Sequence, residues 1–194
     1  MSKVHYSGTA GCGYHLTVMT SGHDSKQAAP EELAALAWPC FADRLPAREA
    51  ASEPMKEWFG KLLAVFLPTV DRLDELPAKC AFLFGFDAEA ARLEPENAGA
   101  LNADSARVVL AEFADRARTD AAPVTWEVFN SWMEEIEAAA GVTTSEFSGP
   151  VRIALTGACS GPDFDNLLPL IEDGAALGIG IPCVRDRVER FVGV

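Results

Sequence analysis

Three histidines and a cysteine crowd the start of the chain: His5, Cys12, His15 and His23, with Cys12 and His15 at a ligand-like spacing. A structural zinc site normally takes four ligands in two close pairs, and only one such pair is present, so no metal site is expected. Gly8, Gly11 and Gly13 form neither a GxGxxG nor a Walker A pattern, which leaves phosphate cradling without support. Cys159 follows Gly157-Ala158, but a thiolate nucleophile needs a base, and no histidine occurs after His23. A cysteine hydrolase therefore fails for want of a base. Glu134, Glu135 and Glu137 fall opposite the stripe of Trp132 and Ile136, as a solvated helix face does. No catalytic residue and no cofactor are expected.

Arginine is more informative. Arg152 interrupts an apolar run between Val151 and Ile153, where a guanidinium is costly to bury unless it meets a fixed acceptor. Arg185, Arg187 and Arg190 follow near the end, some sharing one face. Their acceptor is either a base edge or phosphate, or an internal carboxylate such as Asp163 or Asp186, and the residues alone favour neither. Trp58, Phe59, Trp126, Phe129 and Trp132 offer rings for base stacking, yet their helical spacing beside aliphatic residues reads as core.

The chain has 194 residues and is 49% hydrophobic, enough for one domain or two small packed subdomains. No apolar stretch reaches the roughly 18 to 20 residues of a membrane span, and the five scattered cysteines suit reduced thiols, so a cytoplasmic protein with no membrane partner is expected. The net charge is −13, concentrated in residues 31–149, which hold 10 basic and 22 acidic residues. Such a surface excludes generic phosphate binding, and DNA with it; RNA contacts would be local and shape-dependent.

Residues 1–29 read as an irregular lead-in rich in Gly, Ser, Thr and His. A helix is predicted from Pro30, and another at Met55, Trp58, Phe59, Leu62, Leu63 and Phe66, limited by Pro68. The run Cys80 to Phe86 fits either a strand or a helix end. Leu101 to Ala117 reads as a helix capped by Asp104 or Ser105, and a further stripe from Phe129 to Ala140 ends at Gly141. A short linker to Gly149-Pro150 then precedes three short segments, Val151–Thr156, Phe164–Asp173 and Cys183–Val192. The chain reads as predominantly helical, and the last three segments could form a small terminal subdomain.

The run Pro150-Val151-Arg152-Ile153-Ala154-Leu155-Thr156-Gly157, followed by Ser160-Gly161-Pro162, resembles the C-terminal signature of bacterial glutamyl-tRNA synthetases. Ala81-Phe82-Leu83-Phe84-Gly85-Phe86 is similar to that family's aromatic-rich stretch before its last helices, and Thr125 to Phe129 to a helix start. Pro30 to Leu45 resembles the join between stem-contacting and anticodon parts, so the likeness covers roughly 30–194.

The resemblance implies an all-α anticodon-binding module of two small packed helical subdomains, at 30–120 and 121–194, and assigns Val151–Leu155 to helix. It places Arg152, Gly161, Pro162 and Phe164 where the family contacts the last two anticodon bases, and Arg72 where it contacts the first. Gly161 departs from relatives with a hydroxyl there, and the glycine-rich connection from Ile171 to Ile181 is longer than in many. The nucleotide-binding signature with its paired histidines and the lysine-rich loop are absent, so no aminoacylation is expected on this chain alone. It would be a fragment, a separately expressed domain or a free-standing paralogue. The implied partner is a tRNA accepting glutamate, together with a separately encoded catalytic domain. The rival expectation is a helical interaction protein that kept the fold, lost RNA binding and uses its acidic middle to meet a basic partner.

Overall fold

Helix α1 (Pro30–Ala37) begins at the proline, with Glu31 and Glu32 in the first turn where the helix dipole favours negative charge. The computed structural model describes residues 30–120 and 122–193; His5, Cys12, His15, His23 and the early glycines lie outside them. Helix α2 (Glu53–Phe66) is started by Ser52, whose hydroxyl accepts from the Met55 N–H, and gives way to a 3₁₀ turn at Leu67–Thr69 because Pro68 cannot continue the ladder. Its stripe of Trp58, Phe59, Leu62, Leu63 and Phe66 is buried as the spacing predicts. Trp38 and Phe41 pack on Phe59 with ring centroids 4.6 and 5.3 Å away. Leu73 and Leu76, the latter opening α3 (Leu76–Lys79), complete this core.

The remainder of the chain is helical too: α4 (Ala81–Phe84), α5 (Ala88–Leu93), α6 (Ala98–Leu101), α7 (Asp104–Thr119), α8 (Trp126–Ala140), α9 (Thr144–Thr156), α10 (Phe164–Ala176) and α11 (Val184–Val192). No strand occurs among the described residues, so the fold is all-α. The open reading at Cys80 to Phe86 resolves as a short helix over Ala81–Phe84, with no strand.

Contacts group the chain into Met1–Cys80 and Ala81–Val194. This division lies upstream of the 120/121 position read from the sequence, because α7 packs on α9 and α11. In the second unit Phe113, Phe129, Trp132 and Phe147 meet edge to face at 5.6 to 6.0 Å, and Phe164 lies 4.5 Å from Phe129. A second cluster joins Ala88, Ala91, Leu110, Ile153, Ala154 and Phe191.

Two helix starts differ from expectation. Ala103, not Asp104 or Ser105, occupies the N-cap of α7, and Asp104 serves as the first-turn acid. The linker expected before Pro150 is instead the first half of α9. Thr143 and Glu146 form a reciprocal capping box, and this start carries the helix through Pro150, which is itself buried.

Of the arginines in the C-terminal segment, Arg185 and Arg187 donate to backbone carbonyls, whereas Arg190 is exposed. Arg187 is fully buried. Its Nε donates to the Pro182 carbonyl at 2.9 Å, Nη1 to Phe82 and Leu155 at 2.9 and 2.8 Å, and Nη2 to Leu83 at 2.7 Å. Burial pulls its pKa down to about 10, so the guanidinium stays charged at neutral pH. Arg185 donates to the carbonyls of Ala117 and Asp120 at the end of α7, and Arg92 donates to Phe191 in the last turn of α11. Cations suit helix C-termini, where unpaired carbonyls carry partial negative charge.

Arg187→Met, similar in length and apolar, removes the donor that Arg187 supplies to four carbonyls and is expected to lower unfolding free energy by about 3–5 kcal/mol in urea titration. A loss under about 1 kcal/mol would contradict the structural role given to Arg187. Burial also holds the Glu172 carboxyl above the usual glutamate range, although it accepts from the N–H groups of Val184, 3.1 Å away, and of Val124. A raised acid makes the native state bind its proton more tightly than the unfolded chain. The resulting stability is complete below the ordinary glutamate value and is lost as pH rises through the folded one. Glu172→Gln keeps an acceptor and removes this loss, so its stability relative to the parent should grow as pH rises above the ordinary glutamate range, as read by urea unfolding across a pH series.

Candidate nucleic-acid interface

The segment Gly157–Asp163 joins α9 to α10, and Ala158, Cys159, Ser160, Gly161 and Asp163 are exposed. It leaves α9 through Gly157, whose φ of 85° ends the helix in the left-handed region. The Thr156 hydroxyl lies 2.8 Å from the Arg152 carbonyl and accepts from the Ala158 N–H at 3.2 Å. Asn97, in the 3₁₀ turn Pro95–Asn97 and only 1% exposed, donates from Nδ2 to Gly157 at 2.9 Å and to Ala91 at 2.7 Å. The beginning of the loop is thus tied to the end of α5.

Its other end is held by Arg152, one turn back in α9. The guanidinium donates to the Pro162 carbonyl and lies 4.3 Å above the Phe164 ring. Burial lowers the Arg152 pKa, partly offset by the charge of Asp163. Gly161 has φ 155°, where L-residues are strained, whereas a β-carbon there would meet Arg152 Nη1 at an ordinary 4.0 Å. The glycine is required by the turn, not by crowding.

Four of the residues singled out in the sequence, Arg152, Gly161, Pro162 and Phe164, therefore assemble around one loop. Phe164 is buried against Phe129, so its role there is to seat the guanidinium. Arg72 belongs to the first unit and grips Asp74 with both arms, Nε to Oδ1 at 2.9 Å and Nη2 to Oδ2 at 2.5 Å. Sequence reasoning missed Asn97, because a buried asparagine bonded to distant carbonyls has no local pattern. It also placed Trp126 in the core, whereas the ring is 38% exposed and stacks on Phe129 at 5.9 Å. Its position immediately after the Thr125 N-cap was the available signal.

Elsewhere the reactive chemistry is sparse. Cys159 is exposed, and Cys80 is buried with its thiol pushed up to about 12. No cluster of three or more metal-ligating side chains occurs among the described residues.

The family described as "Anticodon binding domain" matches residues 32–177. The chain belongs to that family. The matched span contains Arg72, the loop and all four residues around it. Glutamate-tRNA ligase 2 of a Methylobacterium species is 33% identical over 133 residues, which is 66% of this chain and 28% of that protein. A solved glutamate tRNA ligase from Elizabethkingia meningosepticum, in complex with its amino acid, superposes with a TM-score of 0.52 at 15% identity, covering 84% of this chain and 30% of that one. The chain thus spans less than a third of either protein, and the structural likeness supports the fold. Among the described residues, no helix is long and apolar enough to cross a membrane.

Gly161→Ala forces a β-carbon into a backbone region that only glycine adopts freely and should cost about 1–3 kcal/mol in urea unfolding. Ser160→Ala beside it, exposed, should stay within about 0.5 kcal/mol of the parent. Equal stability of the two variants would mean that the loop does not hold this conformation.

Proposed function

We propose that this chain is a tRNA anticodon-recognition module of the glutamyl type, performing no aminoacylation by itself. The observation that carries the reading is the family match over residues 32–177, with the tethered Gly157–Asp163 loop inside it. A single-stranded anticodon displays base edges that backbone groups and a guanidinium fork can bond. In this reading the backbone around Gly161 and Pro162 meets the last two bases, and the half-buried Arg152 both holds the loop and lends its remaining N–H groups to a base edge. Phe164 contributes by seating Arg152. Arg72 reaches the first base while still paired with Asp74. The partner is a glutamate-accepting tRNA in the cytoplasm, not DNA, and a separately encoded catalytic domain supplies the acyl-transfer chemistry.

A helical interaction protein is the competing reading, favoured by the net charge of −13 and by the internal engagement of Arg152 and Arg72. Binding isotherms with transcripts of tRNA for glutamate and its anticodon variants separate the two. Tighter binding to the parent anticodon is expected, and Arg152→Ala should reduce that preference by about 1–3 kcal/mol. Equal binding to every transcript, or none, overturns anticodon recognition; a salt-sensitive complex with a basic protein then favours the rival.

A further inference from the structure

We infer that Asn97 is a positioning residue for the anticodon loop, fixing the point from which Gly157–Asp163 departs. The inference rests on the anticodon reading above. Both Nδ2 protons of Asn97 are committed, one to Ala91 near the end of α5 and one to Gly157, a residue 60 positions away in the sequence. The latter carbonyl belongs to the residue that turns the chain out of α9, so its direction sets the path of Ala158 to Gly161. The platform on which Asn97 sits is itself constrained. Its own N–H donates to Glu94 at 3.0 Å, and α6 follows directly, where a β-carbon added at Gly149 of α9 would come within 3.3 Å of the Ala100 β-carbon. Such close packing gives the asparagine little room to move with the loop.

The two ends of the loop are held in different ways. Arg152 clamps Pro162 from a half-buried position, open to a ligand, whereas Asn97 clamps Gly157 from the interior. Asn97 therefore acts on RNA only through the backbone it orients. Displayed groups that are already ordered lose less freedom on binding, and a base edge is discriminated only when its partners stand at fixed distances.

The test uses the full chain with Asn97→Asp, which keeps the shape and removes both donors, and Asn97→Ala in case the buried carboxylate prevents folding. Ile136→Val, a core change in α8, serves as a control for lost stability alone. Amide exchange in the free protein should rise at Gly157 and Ala158, whose N–H groups are bonded to Ile153 and to the Thr156 hydroxyl, in the Asn97 variants and not in the control. The preference for the glutamate anticodon over its variants should fall roughly tenfold, the size of one base contact. Unchanged exchange in the loop overturns the positioning role, as does raised exchange with undiminished discrimination. If the parent protein itself shows no anticodon preference, the reading of the site fails, and loop exchange alone then decides whether Asn97 orders the segment.

Discussion

A guanidinium buried without a carboxylate is the constraint around which the second unit is built. Taking a cation out of water costs several kcal/mol, and Arg187 recovers this from four carbonyls, not from an ion pair. Two belong to α4 and one to the last turns of α9, so the charge sits where the ends of two helices point their partial negative charge. The planar fork makes this geometry possible: one side chain carries donors in three directions, and lysine could not reproduce them. Because α11 supplies the arginine while α4 and α9 supply the acceptors, these helices cannot shift independently without stranding a charge. The Phe86 ring, 5.4 Å from the guanidinium carbon, closes the remaining side.

The same solution recurs along the unit. Arg185 serves the end of α7, Arg92 the end of α11, and Arg152 the Pro162 carbonyl after α9. Backbone acceptors thus engage several of the unit's cations, while Arg92, Arg107, Arg118 and Arg190 remain exposed. In the closing segments of this chain of net charge −13, Arg152, Arg185 and Arg187 are in this way turned to internal carbonyls. The loop inherits its placement from the network, since Leu155, bonded to Arg187, lies in the helix whose end Gly157 turns.

The sequence revealed the periodic features well, because burial and helical spacing are the same signal. Trp58 to Phe66 and Phe129 to Ile136 are buried as read. The start of α9 is also legible, in Thr143 and Glu146, but Gly149-Pro150 masks it: a proline reads as a boundary, whereas a capping box upstream has already committed the chain to helix. The arginines show the opposite limit. That Arg152 and Arg187 need acceptors follows from their apolar neighbours, but which acceptors they find does not, since a backbone carbonyl is present at every residue. Asn97 was illegible for the same reason. The four residues grouped at the loop were found by family likeness, and the geometry adds that Phe164 faces inward.

These features bear on how an acidic module could recognise an acidic polymer. Long-range attraction to phosphate normally supplies much of the affinity for nucleic acid, and a negative surface forgoes it. Binding must then depend on short-range contacts, whose strength falls steeply with misplacement. A loop free to fluctuate would lose much of that energy in becoming ordered; a loop held at both ends loses less. The tethers at Gly157 and Pro162, together with a glycine in a conformation that few other residues tolerate, make Ala158 to Gly161 a short stretch of displayed backbone with defined geometry. On this view Arg152 and Asn97 hold the loop, and any discrimination by an acidic module would come from the shape of the backbone they display.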